Sequence, residues 1–149
     1  MVKMDTNELL SFMENDSSIK AMMGGVIPKD LLPAPTSKPK LFIVNLDKSN
    51  EKGSHWVALL LTNKYINEYF DPLGNLPDSY FREYFNFYSL YCLVNRKQCQ
   101  SENTSSCGLF CLFYCYSRAR GKSLQEIVTQ FTTDLTQNEK FVNKFFYSI

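Results

Sequence analysis

The chain has 149 residues, 44% of them hydrophobic and 21% charged, with a formal net charge of +1. That length and apolar content suit one domain with its own core. A balance so near neutrality argues against strong binding to nucleic acid or to an anionic membrane surface, and no stretch approaches the roughly 20 apolar residues of a membrane span.

The first residues, Met1 to Glu8, contain no apolar signal-peptide core. The five cysteines are an odd number, so free thiols in a reducing compartment are expected and secretion is not. Asp5 or Thr6 is placed to cap a short helix, with Glu8 completing a capping box and Leu9, Leu10, Phe12 and Met13 as its apolar residues. Gly24-Gly25 reads as a helix stop, and Val26 to Leu32 with Pro33, Pro35 and Pro39 reads as an irregular surface loop.

Leu41 to Leu46 is an apolar run that predicts a buried strand. Asp47 to Ser54 is turn-like, and His55 to Thr62 predicts a second strand. Asn63-Lys64 predicts a tight link to a third strand, Tyr65 to Asp71, making an antiparallel hairpin ended by Pro72 and Gly74. Asp78 should cap a helix carrying Phe81, Tyr84, Phe85 and Tyr88 at helical spacing, and Leu90 to Asn95 reads as a fourth strand. A polar run, Ser101 to Ser106, leads into a helix from Cys107 to about Ala119, capped by Ser105 or Ser106. Ser123 with Glu126 and Thr136 with Glu139 are spaced as two further capping boxes. The expected class is α+β, a small, mainly antiparallel or mixed sheet flanked by helices in one domain, residues 1–149.

Cys107 is the candidate nucleophile, because the positive end of a helix dipole favours a thiolate. The chain holds one histidine, His55, so a Cys-His mechanism must use it. The hairpin brings the start of the second strand and the end of the third together, which places Asp71 as the acid orienting His55 through Nδ1. Glu68 is the competing acid, but strand alternation puts it on the opposite face. Gln100 is the candidate side-chain donor to an oxyanion, beside the Cys107 N–H.

Cys111 and Cys115 lie at i+4 and i+8 from Cys107 and read as core. Zinc on Cys99, Cys107, Cys111 and His55 matches no compact zinc motif, so no metal is expected. On these residues alone, Cys107 and His55 also admit a purely structural reading.

Four segments together resemble the adenovirus-type cysteine endopeptidases, the adenain family, which are related to the SUMO proteases. They are Gly53-Ser54-His55-Trp56, Phe70-Asp71-Pro72-Leu73-Gly74, Gln100 standing seven residues before Cys107, and Ser106-Cys107-Gly108-Leu109-Phe110-Cys111. The last is close to the family's Ala-Cys-Gly-Leu-Phe-Cys. Gly25 to Pro33 is a weaker fifth match, and the likeness spans roughly residues 8 to 120.

The resemblance implies a papain-like architecture and a cysteine endopeptidase with Cys107 as nucleophile, His55 as base, Asp71 as orienter and Gln100 at the oxyanion hole. It places Trp56 and Gly53 along the substrate cleft. Asp71 departs from the Glu of most adenoviral members and matches the Asp of the SUMO proteases. The implied substrates are viral capsid or core precursors, cut after apolar-x-Gly-Gly or apolar-x-Gly-x sites during virion maturation. The expected enzyme is a monomer acting in the virion and in the host nucleus or cytoplasm. Family members are activated by a peptide cofactor through a disulfide, for which Cys92 or Cys99 is the candidate here. They are also activated by DNA, against which the near-neutral charge argues. Met22 to Val26 resembles the family's cleavage pattern, against the simpler reading of Gly24-Gly25 as a stop. The alternatives are a peptidase removing ubiquitin-like modifiers and a non-catalytic binding module of the same fold.

Overall fold

A computed structural model describes residues 4–50, 55–64 and 66–147. The chain opens with helices α1 (Thr6–Asn15) and α2 (Ser17–Lys20), followed by strands β1 (Met23–Pro28), β2 (Lys40–Asn45), β3 (Trp56–Leu61) and β4 (Ile66–Phe70). Helix α3 (Ser79–Tyr88) and strand β5 (Tyr91–Val94) follow, then α4 (Cys107–Ala119), α5 (Leu124–Thr129) and α6 (Leu135–Tyr147).

Among the described residues one sheet of five strands runs in sequence order from β1 to β5. The inner pairings, β2 with β3 and β3 with β4, are antiparallel. The outer pairings, β1 with β2 and β4 with β5, are parallel. The architecture is therefore α+β with a mixed sheet, as the residue pattern predicts.

Every residue of β3 is buried, because the sheet is covered on both faces. On one face lies α4, whose first nine residues are all buried. A helix apolar all round belongs inside, and α4 packs against β2 and β3 with α1, α2, α5 and α6 around its other sides. On the other face, Phe42, Val57, Leu59 and Tyr69 pack with Phe81 and Phe85 of α3.

The local signals that hold are those closed within one turn. Asp5 and Glu8 form the capping box of α1, Asp78 accepts from the Phe81 N–H at the start of α3, and Ser123 and Glu126 box α5. Such caps contribute about 1 kcal/mol each.

Four expectations are corrected. Gly24-Gly25 and Val26 to Pro28 form strand β1 and not a stop and loop. Its pairing partner is β2, with a bulge between Met23 and Gly25, and the Phe42 ring lies where a Gly24 side chain would stand. The Met22 to Val26 motif is thereby drawn into the sheet. Secondly, the pairing of Ala58 with Phe70 and Leu60 with Glu68 is not the register of a two-residue link at Asn63-Lys64; Tyr65 lies outside the described residues. Thirdly, Ser106 sits at the N-cap of α4 but makes no capping bond; its hydroxyl is held by Glu139 of α6. Fourthly, α6 begins ahead of Thr136, and the Asp134 carboxylate takes the Thr136 and Gln137 N–H groups. Glu139 is thus a tertiary partner and not a local cap.

Candidate active site

The geometry of His55 and Asp71 follows from the hairpin. His55 immediately precedes β3, where its carbonyl accepts from the Leu46 N–H at 2.9 Å. Asp71 immediately follows β4, so the two meet at the end of the hairpin away from its link. His55 Nε2 lies 2.7 Å from Asp71 Oδ1, with side-chain exposures of 15% and 1%. A carboxylate accepts, so Nε2 carries the hydrogen. This corrects the expected use of Nδ1: the nitrogen turned away from Asp71 is Nδ1, and Cys107 lines the same cavity as the ring. Glu68, on the other face, is engaged by Tyr114 at 2.6 Å and by two Arg118 nitrogens at 3.0 and 2.8 Å. That leaves Asp71 to orient the ring.

Burial pulls the His55 pKa down, since it disfavours the charged ring. The hydrogen bonds and charges of Asp71 and Cys107 outweigh it and lift the value to about 9. The imidazolium is therefore the favoured form of this ring at neutral pH.

Asp71 is itself held from three sides. Its Oδ1 accepts from the Leu73 N–H at 2.8 Å, and its carbonyl accepts from the Gly74 N–H at 2.8 Å. Its backbone is clamped by one amide side chain: the Asp71 N–H donates to Asn95 Oδ1 at 2.9 Å, and Asn95 Nδ2 donates to the Asp71 carbonyl at 2.7 Å. In the sequence Asn95 ends a predicted strand, and an amide closing an apolar run is the signal for this clamp. Gly74 has a φ of +76°, and a Cβ there would stand 2.9 Å from the Arg96 carbonyl oxygen, so only glycine fits this turn. The Pro72 carbonyl accepts the N–H groups of Cys99 and Gln100, at 2.8 and 3.0 Å. The Asp71 turn and the Gln100 loop are thus one construction.

Cys107 is the first residue of α4 and 6% exposed. The first N–H groups of a helix lack intrahelical acceptors, so its backbone N–H is available beside its own sulfur. Gln100 is buried and its Nε2 lies 3.2 Å from both the carbonyl and the hydroxyl oxygen of Thr104. Its Oε1 is buried without a hydrogen-bond partner among the described residues. His55, Trp56, Gln100 and Cys107 all line one cavity of about 530 Å³, together with Ile27 at the end of β1 and Leu73 after Asp71. The structure therefore brings five of the sequence-derived residues to one place: Cys107, His55, Asp71, Gln100 and Trp56. Gly53 lies outside the described residues.

The remaining cysteines lie apart from this cavity lining. Cys111 and Cys115 are fully buried in the core. Cys99 is buried and Cys92, on β5, is half-buried; burial pushes both thiols up to about 12. Among the described residues, no group of three or more His, Cys, Asp or Glu side chains is arranged to hold a metal ion.

A buried carboxylate, an imidazole, a helix-terminal thiol and an amide in one cleft can perform acyl transfer through a thioester. No family model matches the chain. A protease of bovine adenovirus 4 is 32% identical over 111 residues, 63% of this chain and 55% of the relative. A protease of bovine adenovirus 7 is 27% identical over 138 residues, 73% of this chain and 68% of the relative. The crystal structure of an African swine fever virus protease superposes with a TM-score of 0.51 at 25% identity, over 68% of this chain and 42% of that one. ChlaDub1 from Chlamydia trachomatis shares the fold, with a TM-score of 0.51 at 14% identity over 99% of this chain and 79% of that one. The chain thus spans about half the length of the first of these relatives, and its motifs, fold and sequence agree in relating it to the adenovirus proteases.

Proposed function

We propose that this relative of the adenovirus proteases is a cysteine endopeptidase. The observation that carries the reading is the His55–Asp71 contact of 2.7 Å with Cys107 lining the same cavity. His55 takes the proton of Cys107 as its sulfur is activated, and Asp71 stabilises the imidazolium that forms. The Cys107 sulfur attacks the peptide carbonyl carbon, and the carbonyl π electrons move onto oxygen. The Cys107 N–H and Gln100 Nε2 donate to that oxyanion. The C–N bond then breaks, the amine leaves with the proton from His55, and a thioester remains. Water attacks the thioester and gives its proton to His55. The C–S bond breaks, the acid leaves, the sulfur recovers its proton from His55, and the free Cys107–His55 pair is restored. Asp71 holds the ring in place and stabilises its positive form throughout.

The substrate side of the proposal rests on the resemblance. Cleavage follows apolar-x-Gly-Gly or apolar-x-Gly-x sites in viral capsid or core precursors during maturation. Trp56 forms part of the cleft wall, and glycines suit a cleft that admits backbone and little else. Cys92 is the more accessible of the two candidate cysteines for a peptide activator, and the near-neutral charge favours an enzyme that needs no DNA. We propose action as a monomer, in the virion and the host nucleus or cytoplasm.

The test is cleavage of apolar-x-Gly-Gly peptides by the wild type and by Cys107→Ala, beside a fluorogenic ubiquitin-like modifier C-terminal substrate. Wild-type cleavage after glycine that vanishes in Cys107→Ala is expected. Preferential hydrolysis of the modifier substrate would move the assignment to an isopeptidase. Cys107 labelling by iodoacetamide no faster than the other thiols, with no turnover, would make the chain a binding module.

A further inference from the structure

Both ends of the loop that carries the oxyanion donor and the nucleophile are tied to one helix. Just ahead of Gln100, the Cys99 carbonyl accepts from Asn138 Nδ2 at 3.0 Å. Asn138 is in turn fixed on Thr132, donating to its carbonyl and accepting from its N–H, each at 2.8 Å. Just ahead of Cys107, the Ser106 hydroxyl contacts both carboxylate oxygens of Glu139. Asn138 and Glu139 are consecutive on α6, and both are buried. Ser106 stands where the resembled motif has Ala, so the pairing is a feature of this chain.

Between these ties runs a chain of polar contacts. A carboxylate only accepts, so the single hydrogen of Ser106 goes to Glu139. The single hydrogen of Thr104 goes to the Ser101 carbonyl at 3.0 Å, and its Oγ1 stands 3.3 Å from Ser106 Oγ. Thr104 Oγ1 meets Gln100 with its lone pairs, beside the Thr104 carbonyl, which also accepts. That side of the Gln100 amide must therefore be its NH2. The amide is held in the orientation that presents an N–H, and not Oε1, to Thr104; the Thr104 and Ser101 carbonyls fix that order, and Glu139 anchors Ser106 and with it the Thr104 end of the loop. A buried carboxylate is costly unless hydrogen-bonded, so its placement here is demanding.

We infer that Glu139 is a positioning residue for the oxyanion donor Gln100, acting through Ser106 and Thr104, while Asn138 holds the other end of the loop; this rests on the peptidase reading. Removing an oxyanion donor lowers turnover by about 100- to 1000-fold, and misplacing one should cost a fraction of that.

The experiment compares wild type, Glu139→Ala, Glu139→Gln, Gln100→Ala and Gln100→Ala/Glu139→Ala. It uses peptide turnover, iodoacetamide labelling of Cys107 and thermal melting. Glu139→Ala should lower kcat about tenfold or more with KM changed less than about twofold. Labelling should stay within about twofold, because displacement at an alkyl iodide forms no oxyanion. Glu139→Gln should recover most of kcat through its amide oxygen. Adding Glu139→Ala to Gln100→Ala should cost little more. An unchanged kcat in Glu139→Ala, an equal loss in the Gln100→Ala background, or labelling that falls with turnover would each overturn the inference. Those outcomes leave an active wild type and the peptidase reading intact. A wild type without turnover overturns that reading, and this inference with it.

Discussion

Asp71→Asn isolates the electrostatic part of the site. The side chain keeps its shape and an oxygen for the Leu73 N–H and for His55 Nε2–H, but loses the charge 2.7 Å from the ring. In the wild type the ring is lifted from 6.5 to about 9 against its burial. At about 1.4 kcal/mol per pH unit, that rise corresponds to about 3 kcal/mol favouring the protonated, folded state. The sign follows from the direction. This stabilisation is complete below pH 6.5, where the unfolded ring is also protonated, and is lost as pH rises through about 9. An opposite charge in contact contributes about one to three pH units, so Asp71→Asn should lower the His55 midpoint by that much while burial continues to press it down. The chain has one histidine, so a nitrogen-edited NMR titration of its imidazole reads the midpoint without ambiguity. The melting temperature against pH, from 6 to 10, provides the linked check. A wild-type ring titrating near 6.5, or a midpoint unmoved by Asp71→Asn, would refute the reasoning.

Gly74→Ala strains a backbone at φ +76° and drives a methyl against the Arg96 carbonyl; a loss of about 1–3 kcal/mol is expected in urea unfolding. Because that turn also carries Asp71, peptide turnover should fall more than global stability does. Gly24→Ala places a methyl inside the Phe42 ring volume and should cost about 1–3 kcal/mol, measured by thermal melting; an unchanged melting temperature would mean that β1 does not lie on Phe42. Arg118→Met leaves the buried Glu68 carboxylate with Tyr114 alone among its side-chain partners, and a loss of about 3 kcal/mol is expected. Glu68→Gln/Arg118→Met should recover part of that loss, since no unpaired charge remains.

The local elements were legible where a few neighbouring residues settle them. The Asp5–Glu8 and Ser123–Glu126 boxes, the Asp78 cap, the apolar runs of β2 and β3 and the limits of α4 all close their hydrogen bonds or apolar pattern within the segment itself. Residue type and spacing also narrowed the site to Cys107, His55, Asp71 and Gln100, because one histidine and one helix-leading thiol leave few combinations.

Tertiary structure alone decided the rest. Glycines and a proline become strand β1 only because β2 supplies the partners and Phe42 the packing. Ser106 and Glu139, each read as a local cap, bind one another across 33 residues of sequence; a cap is a weak local option that a buried partner displaces. Which nitrogen of His55 faces Asp71 depends on how the ring is turned in the cleft, and that no pattern of residues encodes. The clamp of Asn95 on Asp71 and the hold of Asn138 on Cys99 are of the same kind. A buried amide is satisfied by whichever backbone the fold brings beside it, and that neighbour exists only once the chain is folded.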